Sequence, residues 1–191
     1  MTSATRRVGR TRTFVAIAVL LSACTHAEAR GGAASLPGPV PSGVSFSGGP
    51  SSAPRAPDFS LMLVDGTPVT GSELWEERPL VLSFFASWCG RCAEQQGDLT
   101  SLSERYRDAV VFLGVAGSDE PDAVLAYLNE HEVPYAVALD AELTVWRSYA
   151  VREPPHIAVV AKGGRLVRGW PGGIAGAVIA DTLDELVIRP T

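Results

Sequence analysis

The sequence predicts an α/β fold with a mixed central β-sheet flanked by helices, and three observations carry that prediction. Two continuous apolar runs, 80–85 and 110–116, read as strands buried on both faces, and a helical stretch separates them. Turn signals stand between short strand-like segments near both ends, Asp65-Gly66 early and Lys162-Gly163-Gly164-Arg165 late. Helical and strand patterns alternate between these hairpins, giving the order β-hairpin, β-α-β-α-β-α, β-hairpin, α. At 191 residues the chain holds one ordinary domain plus extra segments, and a hydrophobic content of 46% supports a sizeable core.

The chain opens with a basic stretch, Arg6, Arg7, Arg10 and Arg12, followed by the apolar run 14–21 and the small-residue site Leu21-Ser22-Ala23-Cys24. These are the three parts of a signal peptide over 1–23, and the apolar run is too short to span a bilayer as a mature helix. The site resembles a bacterial lipobox, in which Cys24 becomes the lipidated first residue. An ordinary signal peptide with an incidental cysteine is the alternative. Arg6-Arg7 hints at twin-arginine export, but Gly9 stands where that signal has an apolar residue, so the export route stays open. The formal charge is −5, and removing 1–23 leaves 12 basic against 21 acidic residues, a formal −9. No basic patch remains for nucleic acid.

Residues 24–57 are rich in Gly, Pro, Ala and Ser without periodicity, and read as a flexible tether. The domain is expected over 58–191. Residues 59–64 and 67–70 form the first hairpin. A brief helical turn follows over 71–77, with Ser72 as cap, and 80–85 is the first central strand. The helix over 93–107 carries Leu99, Leu102 and Tyr106 on one face and is weakened at Gly97 by about 1 kcal/mol relative to alanine. Residues 110–116 form a parallel strand. Ser118 or Asp119 caps the next helix, Pro121 falls in its first turn, and it runs to about His131. Strand 135–139, helix 141–149, strands 157–161 and 166–170, and helix 174–186 complete the domain.

Trp88-Cys89-Gly90-Arg91-Cys92 joins the first central strand to the helix after it. A helix N-terminus carries partial positive charge and unpaired N–H groups, which lower a thiol's pKa and populate the thiolate nucleophile. Cys92, one helical turn on, can close a disulfide with Cys89. With Cys24 assigned to lipid, no odd thiol is left, and an exported compartment permits disulfides. A purely structural disulfide is the competing reading, but so small a loop gains little stability. Neither a second C-x-x-C nor paired histidines complete a tetrahedral zinc site, so no metal and no cofactor are expected.

The segment from Leu80 to Cys92 resembles the active-site segment of the thioredoxin superfamily. The runs 111–115, 135–140 and Tyr149-Ala-Val-Arg-Glu-Pro-Pro155 resemble its membrane-tethered TlpA/ResA/DsbE-like branch, with 110–139 supplying that branch's inserted strand–helix unit. The resemblance covers 56–186. It implies a thioredoxin-like fold, Cys89 as attacking nucleophile, Cys92 as resolving thiol, and a cis proline at Pro155 that helps hold an extended substrate segment, with Pro154 at the usual threonine. Trp88 is expected to pack beside the pair and Gly90 to lie within the motif. Arg91 either stabilises the Cys89 thiolate, making the protein more oxidising, or is simply solvated. A protonated His156 would act in the same direction, and Glu153, if near, in the opposite one. His156 as an ordinary surface residue is the alternative.

Three positions depart from the family. Ser83 takes the place of the buried aspartate of thioredoxins, Gln95 that of the glutamate of the ResA-like branch, and Gly97 that of a helix-kinking proline. The acids are thought to move protons for Cys92 in reductive members. The expected function is an exported, lipid-anchored thiol–disulfide oxidoreductase acting on cysteine pairs of other exported proteins, leaning to reduction as in cytochrome c maturation. A membrane partner would supply electrons, the membrane would be met through the lipid anchor, and the location would be the bacterial cell envelope. Disulfide formation and a non-catalytic binding module are the rivals. Peroxide reduction is disfavoured, because Ala86 stands where a peroxidatic motif carries Thr or Ser.

Overall fold

In the computed structural model, residues 1–2 and 30–188 are described. Cys24 and all but the first two residues of the expected signal peptide lie outside them. Nine strands and five α-helices follow in chain order among the described residues: β1 (Ser45–Phe46), β2 (Ser60–Leu63), β3 (Pro68–Thr70), α1 (Gly71–Leu74), β4 (Leu80–Phe85), α2 (Gly90–Arg105), β5 (Val111–Gly117), α3 (Pro121–Glu130), β6 (Ala136–Asp140), α4 (Thr144–Ser148), β7 (His156–Ala161), β8 (Arg165–Pro171), α5 (Gly176–Leu186) and β9 (Val187–Ile188).

Seven strands form the main sheet in the order β3-β2-β6-β5-β4-β7-β8. The central three, β4, β5 and β6, are parallel, and β2 and β7 flank them antiparallel. Every residue of β4, β5 and β7 is buried, as their apolar runs require. Successive β4 side chains divide between two cores. Val81 and Phe85 meet Leu99, Leu102, Leu128 and Leu183 of α2, α3 and α5. Leu80, Leu82 and Phe84 meet Trp75, Val145 and Trp146 on the opposite face. Burying each of these large side chains contributes about 1.5–3 kcal/mol. This sandwich fixes the C-terminal end of β4, and with it the start of α2.

The stretch 30–57 departs from the expected free tether over its described part. Gly31 O accepts from Val137 N at 2.7 Å, beside the end of β2. Asp65 accepts from Ala33 N at 2.7 Å. β1 pairs antiparallel with β9, and Arg55 bridges Arg165 at the β8 edge. Ala33, Leu36, Val44 and Phe46 pack on the two cores. The physical reason is that a Gly/Pro/Ala stretch with few apolar groups can still be held by backbone bonds to sheet and helix ends left unpaired by the domain. Ordered structure therefore begins well before residue 58.

Two caps also differ from expectation. Thr70, not Ser72, caps α1 by accepting from Glu73 N. Glu120 is the N-cap of α3 and makes no side-chain cap bond, while Asp119 turns towards Ser87 instead.

Candidate active site

The site is built where β4 ends and α2 begins. Cys89 is the N-cap of α2, and its Sγ accepts from Cys92 N at 3.1 Å. Cys89 and Cys92 are joined in a disulfide, with Cα atoms 5.2 Å apart. Both are buried, Cys92 at 3% exposure and Cys89 at 7%, so Cys89 is the more open of the two. The first turn of α2 contains no acidic residue, so no carboxylate of the helix itself counters its positive end at the Cys89 sulfur.

Three hydrogen bonds hold the approach to Cys89. Asp119 accepts from Ser87 Oγ at 2.8 Å and from Ser87 N. Trp88 Nε1 donates to Ser118 O at 2.9 Å. Trp88 lies beside the pair, lining the cavity over Cys89, but outside the core. It is 63% exposed and stands at the rim, because its indole N–H is directed to the loop after β5.

Arg91, Gly90, Glu153 and Pro154 complete, with Trp88 and Cys89, the lining of an open cavity of about 350 Å³ above the disulfide. The Pro154–Pro155 peptide bond is cis. Arg91 Nη2 donates to Pro154 O at 3.4 Å, so the guanidinium spans from the motif to the proline segment. Beyond Arg91 a second cavity of about 360 Å³ is lined by Gln95, Asp98, Pro155, Gly172 and Gly173 among others. Glu153 shares the cavity over Cys89, so a carboxylate offsets the arginine there.

His156 lies on β7, opposite Phe84, with the two rings edge to face at 5.7 Å. It is buried, and burial pushes its pKa below the usual histidine value. The neutral imidazole is favoured, which argues against the reading of a protonated, thiolate-stabilising histidine, and its burial argues against the surface residue given as the alternative.

The positions where family acids are missing differ from each other. Gln95 donates through Nε2 to Ile174 O, while its Oε1 is buried without a partner among the described residues. Gly173 faces that oxygen, and its φ of +82° is one that other residues rarely adopt. Ser83 is buried in β4 at the Tyr135–Gln96 pair. The Tyr135 hydroxyl donates to Gln96 Oε1 at 2.8 Å, and Gln96 Nε2 donates to Thr100 Oγ1 at 3.1 Å. Burial raises the Tyr135 pKa. Gln96 follows Cys92 by one helical turn, so both face the same core. α2 runs unbroken through Gly97.

Sequence reasoning did not assign Ser87, Ser118, Asp119, Gln96, Tyr135, Gly172 or Gly173 to the site. Asp119 carried a signal, but as a helix cap, and only the fold brings it to Ser87. Among the described residues no cluster of His, Cys, Asp and Glu could hold a metal ion.

Comparison with known proteins points the same way as this geometry. The Redoxin family model matches residues 51–171. The thiol:disulfide interchange protein HelX of Rhodobacter capsulatus is 27% identical over 121 residues, covering 63% of this chain and 67% of that protein. The thiol-disulfide oxidoreductase ResA of Bacillus thuringiensis is 25% identical over 114 residues, covering 59% of this chain and 65% of that protein. The chain thus spans about two thirds of the length of these relatives. Among solved structures, MTB dsbF superposes with a TM-score of 0.63 at 26% identity, covering 69% of this chain and 97% of that one. The exposed lipoprotein thioredoxin Etrx1 of Streptococcus pneumoniae gives a TM-score of 0.61 at 28% identity, covering 68% and 100%. The fold is thioredoxin-like, with the mixed sheet and flanking helices described above.

Proposed function

The chain belongs to the Redoxin family, and on that premise we propose that it is an exported, lipid-anchored thiol–disulfide oxidoreductase acting on cysteine pairs of other exported proteins. The observation that carries the reading is the Cys89–Cys92 disulfide at the start of α2, with Cys89 as N-cap and an open cavity over it. A structural disulfide needs neither. We place the protein in the cell envelope, attached through Cys24, with 1–23 as its signal peptide.

The proposed direction is reduction, as in cytochrome c maturation. The Cys89 thiolate attacks one sulfur of the substrate disulfide. A Cys89–substrate bond forms, the substrate disulfide breaks, and the displaced sulfur leaves as a thiolate that takes a proton from water. Cys92 loses its proton to solvent and attacks the Cys89 sulfur. The Cys89–Cys92 bond forms and the second substrate sulfur leaves. Two electrons pass from the dithiol to the substrate, and a dithiol on a membrane partner restores the pair while being oxidised itself.

Disulfide formation is the second reading, favoured by Ser83 and Gln95 in place of proton-moving acids. The reduction potential of the pair, poised against glutathione, separates the two. A reductant lies near −270 mV and a strong oxidant near −120 mV. The reductive reading is overturned by a value at the oxidising end. Retained function in Cys89→Ser would overturn both in favour of a binding module. Membrane retention that is unaltered in Cys24→Ala would remove the lipid anchor.

A further inference from the structure

We infer that the groove over Cys89 offers a partner no main-chain pairing at Pro154 and Pro155, and that Arg91 and Trp88 select the partner by its side chains instead. The inference rests on the proposed oxidoreductase reading and names what its substrate segment must carry.

A protein whose cysteine reacts at Cys89 must lay the flanking residues into the cavity over the disulfide. One wall of that cavity is the backbone at Glu153 and Pro154; the other is Trp88 to Arg91. An extended peptide binds beside backbone of this kind by β-strand addition, which uses N–H donors and C=O acceptors on both sides. Neither Pro154 nor Pro155 has an N–H. Both carbonyls are engaged from within the protein: Pro154 O accepts from Arg91 Nη2 at 3.4 Å, and Pro155 O accepts from Gly172 N at 2.8 Å. At these two residues the wall is therefore silent towards an incoming backbone.

The groups left to grip the partner are side chains. The guanidinium of Arg91 has five N–H donors in a planar fork, and its bond to Pro154 O is long for an N–H···O contact, whose ordinary length is about 2.9 Å. A carboxylate accepts such a fork with two shorter, charge-assisted bonds, and the donors of Arg91 not spent on Pro154 O are left for it. Trp88 is 63% exposed while its N–H is tied to Ser118 O, which fixes the indole as an apolar platform at the rim. The partner is accordingly an exported protein segment with an aromatic or aliphatic residue beside its cysteine and a carboxylate within reach of Arg91. Glu153 and Glu94 near Arg91 penalise a carboxylate placed elsewhere in the groove.

The test measures binding separately from turnover. Peptides in which serine replaces the reactive cysteine are titrated onto the oxidised full chain and followed by tryptophan fluorescence. They carry leucine beside the serine, with aspartate, asparagine or lysine on its other side. The aspartate peptide is expected to bind about tenfold more tightly than the lysine peptide. Arg91→Gln should abolish that ranking and Arg91→Lys restore part of it. Pro154→Ala and Pro154→Thr each return an N–H to the wall and should tighten all three peptides about fivefold, the effect of one added hydrogen bond. A structural lesion produces no such gain. Equal affinities for the three peptides, or a ranking that survives in Arg91→Gln, overturn the role of Arg91. Unchanged affinity in a folded Pro154 variant overturns the silent wall. If the peptides bind as expected but disulfide peptides are not turned over, the oxidoreductase reading fails and this inference stands.

Discussion

Asp119 holds Ser87 by two bonds, its Oδ1 accepting from the hydroxyl at 2.8 Å and its Oδ2 from the backbone N–H. Two residues before Cys89, this contact ties the end of β4 to the loop after β5. Trp88 adds a third tie through Ser118 O. Asp119→Ala leaves the Ser87 N–H and hydroxyl without their acceptor, and hydrogen bonds to a charged group contribute about 1.5–3 kcal/mol. Because the contact is only partly buried, the expected loss is at the lower end, about 1–2 kcal/mol in urea unfolding of the oxidised protein. Asp119→Asn keeps one acceptor and should lose less. An Asp119→Ala protein as stable as the parent would sink this assignment.

His156 makes stability depend on pH in a stated direction. Its pKa in the folded protein is below the ordinary histidine value because burial disfavours the imidazolium. In the unfolded chain it titrates near 6.5. Between these values the unfolded chain binds the proton and the folded one does not, so stability rises with pH across that window. The contribution is complete above about 6.5 and is lost as pH falls through the lowered folded value. Chemical denaturation at a series of pH values between 7.5 and 4.5 should show a decline that His156→Gln flattens. An identical pH profile in the variant would show that other groups cause the decline.

What the sequence made legible follows from range. β4 matches its apolar run residue for residue, because five of its six consecutive buried positions are apolar and Ser83 alone interrupts them. The cysteine pair is legible for the same reason: its motif is local and its strand-to-helix setting adjoins it. The clasp formed by residues 30–57 was not, since its partners are far away in sequence, Val137, Asp65, Val187 and Arg165, and its composition is that of a linker. Asp119 was misread because an acid next to a helix start serves equally well as a cap, and only tertiary folding brings Ser87 within reach. The position of Trp88 beside the pair follows from the motif, but the bond from its indole N–H to Ser118 O depends on a loop 30 residues away.

Acid should loosen the start of that clasp. Asp65 accepts N–H bonds from Ala33 and Thr67, and these hold its pKa below 3.8. The folded value is the lower one, so the interaction is complete above the unfolded pKa and is lost as pH falls through the folded value. Amide exchange at Ala33 should lose protection only at strongly acidic pH. At neutral pH, Asp65→Ala should expose the same stretch and speed tryptic cleavage after Arg55, whose guanidinium otherwise bonds Gly163 O at 2.7 Å. Gly31→Ala should act likewise, because its φ is +81° and an added Cβ would meet Leu128 Cδ1 at 2.6 Å. Unaltered cleavage in both variants would mean that neither contact holds the clasp.

The buried polar group behind the cysteines answers to a different substitution. Tyr135 hydroxyl donates to Gln96 Oε1 at 2.8 Å inside the core that also contains Cys92. Tyr135→Phe keeps the ring against Phe112, 6.1 Å between centroids, but strips Gln96 of its donor. An acceptor buried without a partner costs about 1–3 kcal/mol, so the variant should lose that much in urea unfolding. Ser83→Asp places a carboxyl group in the same buried cluster, where desolvation raises its pKa and favours the neutral acid. Such an acid can hand a proton to the leaving Cys92 sulfur during reduction of the pair. The expected outcome is a less stable protein whose pair is reduced faster by a small dithiol below the new acid's pKa than above it. The same rate profile in the parent and in Ser83→Asp would show that this cluster does not communicate with Cys92.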